Sequence, residues 1–250
     1  MNKTFRALPF GLLLWISSAH AGWYEVRSYV GTIGAEPVHV SLQTFDYINH
    51  GEPAQWRVEG SYYYDALHVP IPIKGQRQPD GSMVLCEAVA PPSTADSLSV
   101  PAPSAANPVP CPISLTRSEQ GAVGEWKGVK QTLPIALRQV GRLDNTGQPL
   151  VEGVVEVPMW YHTQGHLLLG VYRSSRHCPV SMLQLRLVNT RSGHIDRSIA
   201  FPCESGMIMT SIYANVSRGP DEGQVTVGFQ GGRMGYFKVL NIDRRAARRK

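Results

Sequence analysis

Short segments of alternating apolar and polar residues, each ended by a turn, constrain this chain more than any other feature of its sequence. The segment from Val38 to Leu42 places apolar residues at every second position, which is the period of a strand with one buried face. Turn-forming residues separate such segments, as in 34–37, 79–82 and 219–223. Helical periodicity is hard to find after the N-terminal region. The pattern predicts an all-β protein built from antiparallel strands.

The strands fall into two groups separated by a turn-rich stretch, residues 142–149. We therefore predict two antiparallel β-sandwich or barrel-like domains in tandem, residues 22–140 and 141–243. About six strands are expected in the second group, which is enough for a sandwich or a barrel. Residues 90–110 are rich in Pro, Ala and Ser, and this composition predicts an exposed insertion between neighbouring strands.

The N-terminus has the three parts of a secretory signal peptide. Lys3 and Arg6 supply positive charge, residues 8–16 form an apolar run, and Ala19-His20-Ala21 matches the small-x-small cleavage pattern. The apolar run is about half of the ~20 residues that a membrane-spanning helix needs. We expect cleavage after Ala21, which leaves a periplasmic chain that does not span the membrane.

The positive charge of the chain is concentrated at one end. The formal net charge is +5, and a basic tail at 244–250 contains Arg244, Arg245, Arg248, Arg249 and Lys250. Such a tail can contact anionic lipid, polysaccharide or an acidic partner, or it can be a solvated terminus. No patch of basic residues interleaved with aromatic ones is present, so no nucleic-acid partner is expected.

Four cysteines, Cys86, Cys111, Cys178 and Cys203, are expected to form disulfides, because an even number in an exported chain is typical of oxidised pairs. The spacing favours Cys86–Cys111 and Cys178–Cys203. The two other connectivities would join the halves of the chain and remain open at this point. A loop of this size would stabilise the fold by roughly 3 kcal/mol in the chain-entropy model.

The motifs that could support catalysis or metal binding are incomplete. His162 and His166 flank Thr163-Gln164-Gly165, which predicts a hairpin turn rather than a zinc-binding helix. A Gly-x-Ser-x-Gly nucleophile motif is absent, and Glu204-Ser205-Gly206 lacks the first glycine. We therefore expect no metal, no cofactor and no enzymatic activity, although a hydrolase triad assembled from distant residues stays open.

A pattern of short segments runs through the first half: Tyr29–Gly34, Gly60–Asp65, Ile71–Gly75, Asp80–Gly81, Leu85–Glu87 and Gly124–Trp126. In these segments the first half resembles a module found in many uncharacterised bacterial exported proteins. This resemblance implies a β meander and implies no activity.

Ser205-Gly206 is followed in the sequence by Tyr213. With this pair, the chain is similar in kind to periplasmic lysozyme inhibitors and to immunity proteins that act against wall-degrading toxins. The inhibitor families insert a loop with Ser-Gly and a nearby Tyr into an enzyme cleft, and the interval between them is shorter than it is here. Trp160-Tyr161-His162 ends another predicted strand, where aromatic side chains can anchor an interface.

These observations predict a periplasmic, non-enzymatic binding protein, an inhibitor or immunity factor whose partner is a peptidoglycan hydrolase or an effector toxin. An envelope structural module that binds cell-wall glycan is the alternative, and a hydrolase with an unrecognised site is the third hypothesis. The predicted binding residues are Ser205, Gly206, Tyr213, Trp160, Tyr161 and His162.

Overall fold

The computed structural model describes most of the chain after the predicted signal peptide. The described residues are 24–45, 56–88, 111–144, 153–175, 177–203, 206, 211–229 and 235–242. The predicted signal peptide (1–21), the insertion at 90–110 and the basic tail at 244–250 lie outside the described residues.

The first eight strands form a closed antiparallel barrel in which each strand pairs with the next. Closure comes from pairing between the first strand and the eighth, where Ile33 lies opposite Ile135. The all-β prediction is confirmed, and this half is a barrel. The strands are β1 Tyr24–Ile33, β2 Glu36–Phe45, β3 Trp56–Tyr64, β4 Ile71–Arg77, β5 Ser82–Glu87, β6 Ile113–Arg117, β7 Gly121–Lys127 and β8 Thr132–Asp144.

Apolar side chains at alternate positions fill the barrel interior. Tyr29 and Ile33 of β1, Leu42 of β2 and Ile73 of β4 are all nearly inaccessible to solvent and belong to one cluster. A cavity of about 10 Å³ in this cluster, lined by Ile33, Ile73 and their apolar neighbours, has roughly the room that one water molecule needs. The interior is therefore a packed core and not a cup for a ligand.

The second half of the chain forms two smaller antiparallel sheets. The four-stranded sheet has the order β12-β11-β10-β9, and the three-stranded sheet has the order β13-β14-β15. A short 3-10 helix precedes the second sheet. The elements are β9 Gly153–Pro158, β10 His166–Ser175, β11 Cys178–Asn189, β12 Ile195–Ala200, the 3-10 helix Ile212–Ala214, β13 Val216–Arg218, β14 Gln224–Phe229 and β15 Tyr236–Asn241.

One hydrophobic cluster joins the two halves. Tyr24 and Phe45, on the outer face of the barrel, pack in the same cluster as Leu168 and Phe229 of the smaller sheets. The predicted boundary between residues 140 and 141 falls inside β8. The halves therefore share a core, and their division into tandem domains stays a prediction.

Both predicted disulfides are present. Cys86 is bonded to Cys111, and Cys178 is bonded to Cys203. Two disulfides are compatible with an oxidising compartment such as the periplasm or the extracellular space. Among the described residues, no helix has the length and apolar character needed to cross a bilayer.

A network of charged side chains lies at the end of the barrel where β1 begins. Glu25 Oε1 accepts hydrogen bonds from Arg27 Nη2 and Arg142 Nε, each at 2.7 Å. Its other oxygen accepts one from Arg117 Nη2 at 2.8 Å. Arg142 Nη2 also lies 2.5 Å from Asp144 Oδ2. One carboxylate thus joins guanidinium groups from β1, β6 and β8.

The arginines also determine the ionisation of Glu25. Burial alone would raise the pKa of this carboxyl, but the hydrogen bond from Arg27 and the positive charges of Arg117 and Arg27 outweigh burial and hold the pKa below its ordinary value. Glu25 is therefore a carboxylate in the folded protein at neutral pH, and it balances part of the buried positive charge.

Candidate functional site

Three connections between strands meet on one exposed face, which we call the loop surface. They are the β3–β4 connection (65–70), the β9–β10 turn (159–165) and the β11–β12 turn (190–194). The Thr190 N–H donates to the Gly165 carbonyl at 3.0 Å. The His68 ring lies so close to Gly193 that a Cβ there would come within 2.9 Å of it. The loop surface therefore combines residues from both halves of the chain.

His68 has a backbone conformation that is uncommon for its residue type. Its φ is +49°, and its N–H donates to the Tyr64 carbonyl at 2.9 Å. The ring atom Nδ1 is buried and has no hydrogen-bond partner in the described part of the chain. A non-glycine residue in this region costs free energy and persists only where its surroundings fix it, and such positions are concentrated at functional sites.

Aromatic stacking connects His68 to the barrel and to the four-stranded sheet. The Tyr63 ring stacks on His39 at 4.9 Å and on His68 at 5.7 Å between centroids. Tyr63 also belongs to a buried cluster with Leu167 and Val188. Burial raises the pKa of Tyr63, so its phenol stays neutral at physiological pH. This stacking connects the β3–β4 connection to β2.

Two histidine–aspartate pairs lie on the loop surface or beside it. His39 Nδ1 is 2.7 Å from Asp65 Oδ1, and His166 Nε2 is 3.0 Å from Asp196 Oδ2. Asn189 Nδ2 also donates to Asp196 at 3.0 Å. The hydrogen bonds from Asn189 and His166 lower the pKa of Asp196. The pairs fix the direction of two imidazole rings that are partly exposed to solvent.

Apolar side chains are exposed among these polar groups. Leu67 and Ile195 are 61% and 52% exposed, and each lies in or beside one of the three connections. Such side chains can provide apolar contact area for a partner. The loop surface thus combines apolar contact area with hydrogen-bonding groups of fixed direction.

Two of the predicted binding residues are buried beneath this surface. Trp160 and Tyr213 are 3% and 0% exposed, and their rings stack at 5.7 Å. Trp160 Nε1 donates to the Gly60 carbonyl at 2.8 Å, and the Tyr213 hydroxyl lies 3.0 Å from Ser41 Oγ. Because both side chains are buried, neither can contact a partner directly in this structure. They attach the second half to the outer face of the barrel.

The other predicted binding residues lie in different places. Tyr161 and His162 are partly exposed and belong to the β9–β10 turn of the loop surface. Gly206 is buried with φ of +85°, and its N–H donates to the Gly228 carbonyl at 2.9 Å. Ser205 lies outside the described residues. The predicted binding residues that the structure describes therefore do not form one exposed surface.

The sequence did not predict that four histidines would lie at or beside one surface. His39, His68, His166 and His194 come from both halves of the chain and meet at the loop surface or its border. The sequence signal that could have indicated this surface was the position of His68 and His194, each in a connection next to the end of a strand. Among the described residues, no group of three or more His, Cys, Asp or Glu side chains could hold a metal ion.

A second cluster lies at the rim of the barrel, on the end that carries the β3–β4 connection. Glu87 Oε1 accepts hydrogen bonds from the Tyr62 hydroxyl at 2.6 Å and from Trp126 Nε1 at 2.9 Å. Tyr64 packs edge-on against Tyr62 and, like Trp126, is partly exposed. We call Tyr62, Tyr64, Glu87 and Trp126 the barrel rim. It offers aromatic faces beside a carboxylate.

Comparison with known proteins identifies no relative. No protein-family model, no curated protein and no solved structure matches the chain. The resemblance to lysozyme inhibitors and immunity proteins therefore stays a prediction, and the functional proposal depends on the geometry described above.

Proposed function

We propose that this chain is an exported, non-enzymatic binding protein, an inhibitor or immunity factor that blocks a cell-wall-degrading enzyme or toxin through its loop surface. The observation that carries the proposal is the joining of three connections from both halves into one exposed face. A partner that binds there would contact the exposed and partly exposed residues of 65–69, 161–165 and 190–194 together.

The contacts within the loop surface favour a site that is formed before binding. Tyr63 is stacked between His39 and His68, and the Thr190 N–H is bonded to the Gly165 carbonyl. Ordering side chains and loops during association costs free energy, so a surface that is already fixed binds more tightly for the same contact area. The mechanism is steric and reversible, because an occupied cleft cannot admit substrate.

Two further features support export. The sequence of residues 1–21 has the composition of a cleaved signal peptide. Both cysteine pairs are oxidised, which is compatible with the periplasm, where wall-degrading enzymes act.

The proposal is tested by capturing partners from a periplasmic extract with the mature chain and identifying them by mass spectrometry. The Leu67→Asp variant places a charge in the loop surface, whereas Val123→Asp places one on β7 at a residue that is also 61% exposed. We expect wild type and Val123→Asp to retain a stoichiometric wall hydrolase or toxin, and Leu67→Asp to lose it. Equal capture by both variants would refute the role of the loop surface.

The barrel rim supports a second candidate function, binding of envelope glycan. Partly exposed Tyr64 and Trp126 could stack on sugar rings while Glu87 accepts hydrogen bonds from hydroxyl groups. Sedimentation with purified peptidoglycan tests this candidate, with Tyr64→Ala as the variant and Leu67→Asp as the control. Loss of sedimentation only in Tyr64→Ala would favour glycan binding, and absence of the wild-type protein from the pellet would exclude it.

A further inference from the structure

Two acidic side chains face inward at the end of the barrel that carries the barrel rim, which we call the mouth. Each strand pairs antiparallel with the next, so the start of β2 and the end of β5 both lie at this end. Side chains along a strand alternate between its two faces. Glu36 lies two positions before buried Val38 on β2, and Glu87 lies two positions after buried Leu85 on β5. Both carboxylates are therefore on the inner face of the barrel, at its mouth.

Three aromatic rings lie beside these carboxylates. Glu87 Oε1 accepts hydrogen bonds from the Tyr62 hydroxyl at 2.6 Å and from Trp126 Nε1 at 2.9 Å, and the Tyr64 ring lies 5.7 Å from the Tyr62 ring between centroids. Burial is the main cause that raises the pKa of Tyr64; a hydrogen bond with Tyr62 opposes it, and the negative charges of Glu87 and Glu36 add to it. Both carboxylates are therefore close to the same phenol.

Negative charge at the mouth has no counter-charge in contact with it. Among the described residues, no cation contacts Glu36 or Glu87. Lys127 Nζ lies 3.1 Å from Glu125 Oε2, and both side chains are on the outer face of β7 because they alternate with Trp126. Lys130, exposed in the β7–β8 turn, is the one described lysine or arginine at this end of the barrel that has no ion pair. The two inward-facing carboxylates therefore outnumber it.

Aromatic rings beside carboxylates favour an organic cation as the ligand. The face of an aromatic ring is the negative part of its quadrupole, and rings grouped in this way bind alkylammonium ions. Mouths of β-barrels are a frequent location of ligand sites. The cavity below the mouth is only about 10 Å³, so a ligand would lie among the rim side chains and not inside the barrel. A metal ion is disfavoured, because no group of three or more His, Cys, Asp or Glu in the described chain could hold one.

The Trp126 ring is held in place from two sides. Its Nε1 donates to Glu87, and its far edge packs so closely on Gly128 of the β7–β8 turn that a Cβ there would clash with the ring. A ring that is already fixed loses little conformational freedom when a ligand packs on it, and this favours binding.

We propose that the barrel rim and Glu36 bind an organic cation with an alkylammonium group, such as the side chain of a lysine or a small amine. The cation would pack on Tyr64 and Trp126, and Glu87 and Glu36 would supply the counter-charge. The site is separate from the loop surface and does not depend on the proposed inhibitor function. It uses the residues named for the glycan candidate, so a neutral sugar is one arm of the test.

The test follows the Trp126 indole N–H by NMR in the ¹⁵N-labelled mature chain while butylammonium chloride is added. We expect a saturable shift, and binding of the neutral analogue butanol that is weaker by at least about tenfold. Increasing salt should weaken butylammonium binding. A capped Gly-Lys-Gly peptide is titrated in parallel. Tighter binding of the peptide would indicate a protein side chain as the source of the cation, tighter binding of butylammonium would indicate a small amine, and both results support the proposal.

Three charge-removing variants isolate the two carboxylates. Glu36→Gln and Glu87→Gln should each weaken butylammonium binding by at least about fivefold, whereas Glu125→Gln, which removes a carboxylate on the outer face at the same end, should stay within about twofold of wild type. Glu36 is exposed and its replacement leaves the core unchanged, so this variant tests the site even if Glu87→Gln is less stable. Thermal unfolding of each variant shows whether the fold is retained.

Three results would overturn the proposal. They are equal affinity for butylammonium and butanol, unchanged butylammonium affinity in both Glu36→Gln and Glu87→Gln, and binding of an N-acetylglucosamine trimer without binding of butylammonium. The last result would favour the glycan candidate. Partner capture by the loop-surface variants does not enter these titrations, so failure of the inhibitor proposal and failure of this one are distinguishable.

Discussion

Replacement of Glu25 by Gln should strongly destabilise the barrel. Glu25 accepts hydrogen bonds from three arginines, and the side chains of Arg27 and Arg117 are only 12% and 14% exposed. The variant keeps the size of the side chain and removes the negative charge. Asp144 stays close to Arg142 and does not replace the contact to the other two guanidinium groups.

The expected magnitude follows from leaving the nearly buried guanidinium groups of Arg27 and Arg117 without a counter-charge, since their other partners, Gln139 and Thr44, are neutral. Removing one member of a buried ion pair typically costs about 3–5 kcal/mol. For a chain of this size, that loss lowers the midpoint of thermal unfolding by about 6–20 °C. Glu125→Gln is the matched control, because Glu125 is paired with Lys127 at 3.1 Å but is 53% exposed. A surface pair of this kind contributes about 0–1 kcal/mol.

Urea unfolding of the oxidised protein at pH 7, followed by tryptophan fluorescence, measures both variants on one scale. We expect a large loss of unfolding free energy for Glu25→Gln and almost none for Glu125→Gln. A loss below about 1 kcal/mol for Glu25→Gln would show that the arginines find other partners or water, and would refute the assigned role of this carboxylate.

The remaining predictions concern acid stability, the join between the halves, the glycine at 206 and the first disulfide. Because the folded pKa of Glu25 is below its ordinary value, its contribution is complete above the unfolded pKa and is lost as pH falls through the folded pKa. Unfolding free energy measured from pH 6 to pH 3 should therefore fall less steeply in Glu25→Gln than in wild type. Trp160→Ala should cost about 3–5 kcal/mol in urea unfolding, since it removes a buried ring and the hydrogen bond to Gly60; a loss under about 1 kcal/mol would contradict this packing role. Gly206→Ala should lower the thermal midpoint, because φ is +85° and a Cβ would come 3.0 Å from the Tyr172 ring; an unchanged midpoint would be inconsistent with that contact. Replacing Cys86 and Cys111 together by serine should cost roughly 3 kcal/mol under oxidising conditions and nothing extra under reducing ones.

Local sequence patterns were sufficient to predict the all-β class and the disulfide pairs. Alternation from Val38 to Leu42 is a property of one strand, and it appears in the structure as β2. Closure of the barrel depends on pairing between β1 and β8, which are about a hundred residues apart, and no local pattern encodes that contact. The sequence therefore indicated strands but left open whether they form a sandwich or a barrel.

The candidate site was harder to predict because its residues come from distant parts of the chain. Trp160 lies just after β9, where an aromatic side chain can be an exposed anchor or part of a core, and its ring packs against the barrel beside Tyr213. His68 and Gly193 are in contact although each lies in an ordinary connection. Such contacts depend on how the two halves pack, and spacing along the sequence carries no information about them.

Hydrogen–deuterium exchange on a complex captured from periplasmic extract tests whether a partner binds the loop surface. We expect slower exchange on binding in all three segments, residues 65–70, 159–165 and 190–194. A captured complex in which these segments exchange at the rate of the free protein would contradict this expectation.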